Sequence, residues 1–285
     1  MIIGESSRSE VIENIKSALQ GGEHNIKVEP NDPELSREES DEIISRYLKN
    51  RKSFSFRLKS FLARRIANTV TAMQDIEITG LQNLEKISSG AIVTSNHFGP
   101  FDSTPLRLLA KKTGKRINTV SQDRNLKMSG IIGFIMNYAD IIPISSEPHY
   151  LKGEFMSVLK ECTDKGEFVL IYPEQEMWFN FRKPRTLKRG SYRFAAELGV
   201  PVLPCFVEII DKKEKDAENF FKVKYRLHIL PPIFPDGNLS VRENSIKMCK
   251  KDSDLKRETY EKVYGKSLTY DFDNSDIAGW AGENL

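Results

Sequence analysis

Cysteine is scarce in this 285-residue chain, and several marks of whole protein classes are missing. Cys162, Cys205 and Cys249 are too few and too scattered for a disulfide framework or a zinc site, and fit buried thiols in a reducing compartment. No stretch supplies the ~18 uncharged apolar residues that a spanning helix needs. The nearest, 131–144, is interrupted by Asn137 and Asp140. The opening MIIGESSRSE has no apolar segment of the secretory-signal kind, so none is expected. A Gly-x-Ser-x-Gly elbow is also missing, as are internal repeats and low-complexity tracts. The net charge of +3 identifies no partner, and the basic runs come with no nucleic-acid-binding module, so nucleic acid is not expected.

What is present is a chain with 39% apolar residues, too apolar for disorder, and an uneven charge distribution. Residues 1–40 hold nine acidic and four basic residues and no Phe, Trp or Tyr. They read as an acidic N-terminal arm with a helix over Val11 to Leu19, ended by Gly21-Gly22, and a linker at EPNDPE, residues 29–34. Residues 41–74 read as a basic amphipathic helical segment. Phe54, Leu58, Phe61, Leu62, Ile66, Val70 and Met73 recur at helical spacing. Within residues 51–73, Arg51, Lys52, Arg57, Lys59, Arg64 and Arg65 supply six positive charges before the next acid, Asp75. Such a helix either lies in a membrane interface, apolar face down with its cations near anionic headgroups, or packs on its own domain with its basic face simply solvated.

From Asp75 onward short apolar runs alternate with helix-like segments. DIEITG, GAIVTS, NTVSQ, IIPIS, EFVLIYP, VLPCFVEII and FKVKYRLHIL read as strands. Residues 103–112, 128–138, 150–164 and 190–198 read as helices, with one more over 245–264. The alternation predicts an α/β fold, a largely parallel mixed sheet flanked by helices, with a core over 75–240 and a C-terminal helix and tail over 241–285.

The stretch AIVTSNHFGPFDS, residues 91–103, carries the chemistry. In sheets of this class ligands bind beyond the carboxyl ends of strands, where His97 falls. Histidine exchanges protons near neutral pH, and Asp102 is suited to hold its second nitrogen. On a continuous helix the two side chains would point ~140° apart; Gly99-Pro100 breaks that regularity and lets a turn join them. A histidine that merely caps a strand end is the plain alternative. His149 and His228 carry no partner signature.

Two further strands change the balance. EFVLIYPEQEMW runs into Pro173-Glu174, and GVPVLPCF is opened by prolines. Together and in this order the three segments resemble the glycerolipid acyltransferase family, which includes the lysophosphatidic acid acyltransferases. Asn96, His97 and Asp102 match its first motif, Tyr172, Pro173 and Glu174 its third, and Val200, Pro201, Val202, Leu203 and Pro204 its fourth. The resemblance spans about residues 75–235. It implies acyl transfer from acyl-CoA or an acyl carrier protein to a lysolipid hydroxyl, with 1-acyl-glycerol-3-phosphate as the expected acceptor. His97 would act as base and Asp102 as its orienter. Asn96 would support the acceptor. Glu174 would fix the acceptor or support the His97 loop, with pairing to a nearby Arg as its plain alternative. No covalent acyl-enzyme, metal or cofactor would be needed. The expected setting is peripheral, on an anionic membrane surface at its cytoplasmic side.

The chain departs from the family at two arginines thought to hold the acceptor phosphate. Ser145 or Ser146 stands for one, and Gln175-Glu176-Met177 replaces Gly-Thr-Arg. If the phosphate contact has moved, Arg182, Lys183 and Arg185 are the nearest candidates, in a run that continues through Lys188, Arg189 and Arg193. A solvated basic face is the alternative for that run. Phe98, Phe101, Trp178, Phe179 and Phe181 suit an acyl channel, a membrane-facing rim or core packing. A neutral, glycolipid-type acceptor and thioester hydrolysis by a His97-activated water are the competing functions.

Overall fold

The computed structural model describes residues 5–30 and 35–282, and only the backbone at 5–7. The linker expected at 29–34 therefore lies outside the described residues from 31 onward.

Seven strands form one sheet: β1 (Ile76–Thr79), β2 (Ala91–Thr94), β3 (Ile117–Gln122), β4 (Ile141–Ile144), β5 (Phe168–Ile171), β6 (Val202–Ala217) and β7 (Phe220–Ile229). Their spatial order is β1-β7-β6-β2-β5-β3-β4. The β6–β7 hairpin supplies the antiparallel junction, and every other pairing is parallel. Strands β2 and β5 are buried along their whole length, which is why they read as unbroken apolar runs. Alternate residues serve opposite faces. Ala91 and Val93 join a core with Leu106, Leu109 and Ala110, whereas Ile92 joins Val158, Leu159, Tyr192 and Met248.

Helices cover both faces: α4 (Thr104–Lys112) on the first, and α7 (Met156–Asp164), α8 (Gly190–Leu198) and α9 (Val241–Tyr264) on the second. The α/β class and the largely parallel sheet are as the sequence predicts. Helix α5 (Gly130–Tyr138) precedes β4, and α6 (Pro148–Tyr150) leads through a wide turn into α7.

Three helices precede the sheet: α1 (Glu5–Gln20), α2 (Arg37–Asn50) and α3 (Phe54–Ala72). Helix α1 does not stand apart from the core. Its Val11, Ile12 and Ile15 are fully buried, packed with Trp178, Phe179, Phe181 and Ile277. Helix α2 starts on a capping box, Ser36 with Glu39. Helix α3 packs inward by small residues, with Ala63 and Ala67 against Phe134, Ile135 and Tyr138 of α5. Its large apolar stripe faces out: Phe54 is 81% exposed, Leu58 60%, Phe61 52% and Leu62 52%. The helix thus packs on its own domain, but by its small residues rather than by that apolar stripe.

Candidate active site

Strand β2 delivers the site. Beyond its last residue, Thr94, the chain stays buried through Ser95 and Asn96. The Asn96 side chain acts as an extra ladder rung: its amide donates to the Val207 carbonyl at 3.0 Å and its oxygen accepts from the Val207 N–H at 2.8 Å. Asn96 therefore anchors the strand end to β6 rather than facing an open site. On the opposite face a fully buried group holds Thr94. The Asp252 carboxylate accepts from Thr94 and Tyr192 at 2.5 and 2.6 Å, and the Lys256 ammonium lies 2.8 Å from it.

His97 is the first side chain that reaches solvent, 22% exposed. The turn closes with the Asp102 N–H donating to the Gly99 carbonyl at 3.1 Å, and Asp102 comes back to hydrogen-bond His97 Nδ1. A carboxylate on Nδ1 fixes that nitrogen as donor and leaves Nε2 as the basic one. Among the described residues Nε2 has no hydrogen-bond partner.

Tyr172, at the end of β5, completes the pair from the neighbouring strand. Its hydroxyl donates to Asp102 Oδ1 at 2.7 Å, and its ring stacks on the imidazole at 4.2 Å between centroids, 13° from parallel. Burial, and next the Asp102 charge, push the phenol well above its ordinary pKa, so it stays a donor across the working pH range. Tyr172→Phe removes one of the carboxylate's donors and leaves the stack. Asp102 then orients His97 with one contact fewer, and kcat should fall ~2- to 10-fold with the acceptor KM nearly unchanged, the worth of one hydrogen bond. Single-turnover transfer by the variant checks this, and an unchanged kcat would reduce the hydroxyl to packing.

Glu174 and Arg185 lie under the His97 loop, each with a side chain 1% exposed. Glu174 accepts from the His97 N–H at 3.3 Å and from the Arg185 N–H and Nε at 3.0 and 3.1 Å. Arg185 also donates to the His97 carbonyl at 3.4 Å and lies over the Trp178 ring. Lys183 is buried against Asp276 at 2.7 Å, and Arg182 pairs with Asp211 at 2.5 Å. The expectation that these three cations reach an acceptor phosphate does not fit their placement. Their charges are matched by acids that come together only on folding, Asp211 and Asp276 from distant segments. Phe98, Trp178, Phe179 and Phe181 are buried, while Phe101 is 42% exposed beside the site.

The sequence reading missed the N-terminal arm's part here. Asn25 donates to the Glu174 and Thr186 carbonyls at 3.1 and 2.7 Å, and the Trp178 indole donates to the Ile26 carbonyl at 2.9 Å. Gln175 stands where the family has glycine and adopts the left-handed backbone glycine favours, φ 68°.

Residues 75–208 match the family model described as Acyltransferase. A chloroplastic 1-acyl-sn-glycerol-3-phosphate acyltransferase of Arabidopsis thaliana, LPAT1, is 28% identical over 129 residues, 45% of this chain and 35% of that protein. The match thus spans about a third of the relative's length. The crystal structure of the 1-acyl-sn-glycerophosphate acyltransferase PlsC from Thermotoga maritima aligns with TM-score 0.52 over 80% of this chain and 90% of its own, at 18% identity, a likeness of fold.

Proposed function

We propose, from the premise that residues 75–208 belong to the acyltransferase family, that this chain moves a fatty acyl group from a thioester to a lysophospholipid hydroxyl. The observation that carries the reading is the His97–Asp102 pair at the open end of β2, with Nε2 unengaged. The donor is acyl-CoA or an acyl carrier protein. The first acceptor to test is 1-acyl-glycerol-3-phosphate, in keeping with the activities named for LPAT1 and PlsC.

In this reading Nε2 takes the proton of the acceptor hydroxyl as its oxygen attacks the thioester carbonyl. The tetrahedral intermediate collapses with loss of the thiolate, which recovers that proton from the imidazolium. Asp102 stabilises the imidazolium, and the acceptor itself fills the place of a serine nucleophile. Product analysis by mass spectrometry, with a labelled acyl thioester and a panel of lysolipids, tests the proposal. Free fatty acid as the sole product would make the chain a hydrolase. One observation favours a second acceptor class: with Lys183 and Arg185 buried in ion pairs, a neutral, glycolipid-type acceptor is the alternative, and its turnover in the panel ahead of every phosphate-bearing lysolipid would select it.

Work at a membrane surface, peripheral and on the cytoplasmic side, is part of the proposal. Among the described residues no helix is long and apolar enough to cross a membrane. The outward stripe of α3 and the exposed Ile131, at 70%, support an interfacial setting. Leu58→Ser with Phe61→Ser should lower the partition onto anionic vesicles at least tenfold, since each large apolar side chain transferred from water contributes ~1.5–3 kcal/mol. Cosedimentation measures this, and undiminished binding would remove α3 from the membrane contact.

A further inference from the structure

A cleft of about 740 Å³ opens between α3 and the sheet, lined by Arg116, Asn118, Asp140, Ile141 and Glu167 among others. These residues stand at the amino-terminal ends of β3, β4 and β5, whereas His97 follows the carboxyl end of β2. The four strands are parallel, so cleft and candidate active site lie at opposite edges of the sheet. A strand of four residues alone separates such edges by ~13 Å.

The cleft is rich in positive charge. Six cations line it, Arg51, Lys52, Arg57, Arg64, Arg116 and Lys165, against three acids, Asp140, Glu161 and Glu167. The acids are already engaged. Asp140 accepts from Arg64 at 3.0 Å and from Arg116 Nε at 2.9 Å. Glu161 takes Lys165 and Arg51 at 2.8 and 2.9 Å, and the Lys165 hydrogen bond foremost, with Arg51, pulls its carboxyl down to about 2. Lys52 comes only within 3.8 Å of Glu161, and Arg57 is exposed with no ion-pair partner among the described residues. Each guanidinium offers five N–H donors in a fork that suits phosphate oxygens, so donor capacity exceeds what three carboxylates use.

The rim adds the second half of the argument. Phe54, Leu58 and Phe61 edge the same cleft and are 81%, 60% and 52% exposed. A free anion gains nothing from them. A lipid does, because its phosphate lies at the depth of interfacial cations while its chains meet apolar side chains just below.

We propose that this cleft binds the phosphate-monoester headgroup of an anionic bilayer lipid, at a place distinct from the acyl-transfer centre. The proposal rests on the reading of α3 as lipid-facing and is independent of the catalytic one. The test compares phosphatidylcholine vesicles doped with phosphatidic acid or with phosphatidylglycerol, brought to equal measured surface potential. The protein should bind the phosphatidic acid vesicles about tenfold more tightly, the scale of one charge-assisted contact. Lys52→Gln with Arg57→Gln should erase that preference. Lys59→Gln with Arg65→Gln removes equal charge from the same helix outside the cleft, and should weaken both vesicle types while keeping the preference. No preference in the parent protein, or its loss in the second pair of substitutions, overturns the cleft as a site. Binding to neither vesicle overturns the lipid-facing reading of α3 itself. Release from vesicles by low-millimolar glycerol 3-phosphate would assign the cleft to a free phosphate ester and overturn the lipid as its source.

Discussion

Replacing His97 with alanine should lower acyl transfer by ~10²–10⁴-fold, the contribution of a positioned general base, and leave thermal unfolding nearly unchanged. The second half follows from placement. The side chain is 22% exposed and its hydrogen bond runs to Asp102, so its removal opens no closed cavity. Asp102→Asn should be nearly as severe for a different reason. The amide keeps the shape but cannot stabilise the imidazolium, and it can donate its N–H to Nδ1, which leaves the ring proton on Nε2, the nitrogen that must act as base. Single-turnover transfer from a labelled thioester measures both, with circular dichroism as the control on folding. Retention of more than about a tenth of the activity in His97→Ala, against that expected contribution, would remove His97 from the chemistry.

Much of the scaffold behind that prediction is legible in the sequence, and the reason is physical. Parallel strands buried on both faces must be apolar throughout, so AIVT, FVLI and IIPI stand out between polar and glycine-bearing turns. The turn that joins His97 to Asp102 is announced by Gly99-Pro100. Tyr172 is harder to read because its hydroxyl matters only through sheet register. Thr94 pairs with Ile171, so the next residue on β5 arrives beside the His97 loop, and no linear spacing encodes that. The arm at residues 1–40 reads as an appendage because it is acidic and lacks aromatics. Its apolar residues are nonetheless one face of a helix, and that face meets Trp178, Phe179 and Phe181. The run from Arg182 to Arg185 fails for the converse reason. A cluster of cations reads as a surface or a ligand site until its acids are known, and Asp276 lies over ninety positions downstream of Lys183.

The burial of Arg185 yields the other large expected effect. Glu174→Ala leaves a guanidinium at 1% exposure without its carboxylate, and loss of one partner of a buried pair costs ~3–5 kcal/mol. In a chain of this size that lowers Tm by on the order of 10 °C. Arg185→Ala should be similar, because Glu174 is then buried as an unpaired charge. Glu174→Met with Arg185→Leu should cost less than the sum of the single changes, since neither charge remains to be desolvated. The catalytic consequence separates this role from phosphate binding. Glu174 accepts from the His97 N–H and Arg185 donates to the His97 carbonyl, so the pair fixes the backbone on which the base is mounted. Loosening it should lower kcat for any acceptor, with or without a phosphate, and change the acceptor KM little. A lost phosphate contact would instead raise KM and leave kcat nearly intact. Thermal unfolding and acceptor kinetics on the three variants decide between the two. If Arg185→Ala unfolds at the parent temperature and shows a raised KM only for phosphate-bearing acceptors, Arg185 contacts the substrate and the role assigned to its ion pair is wrong.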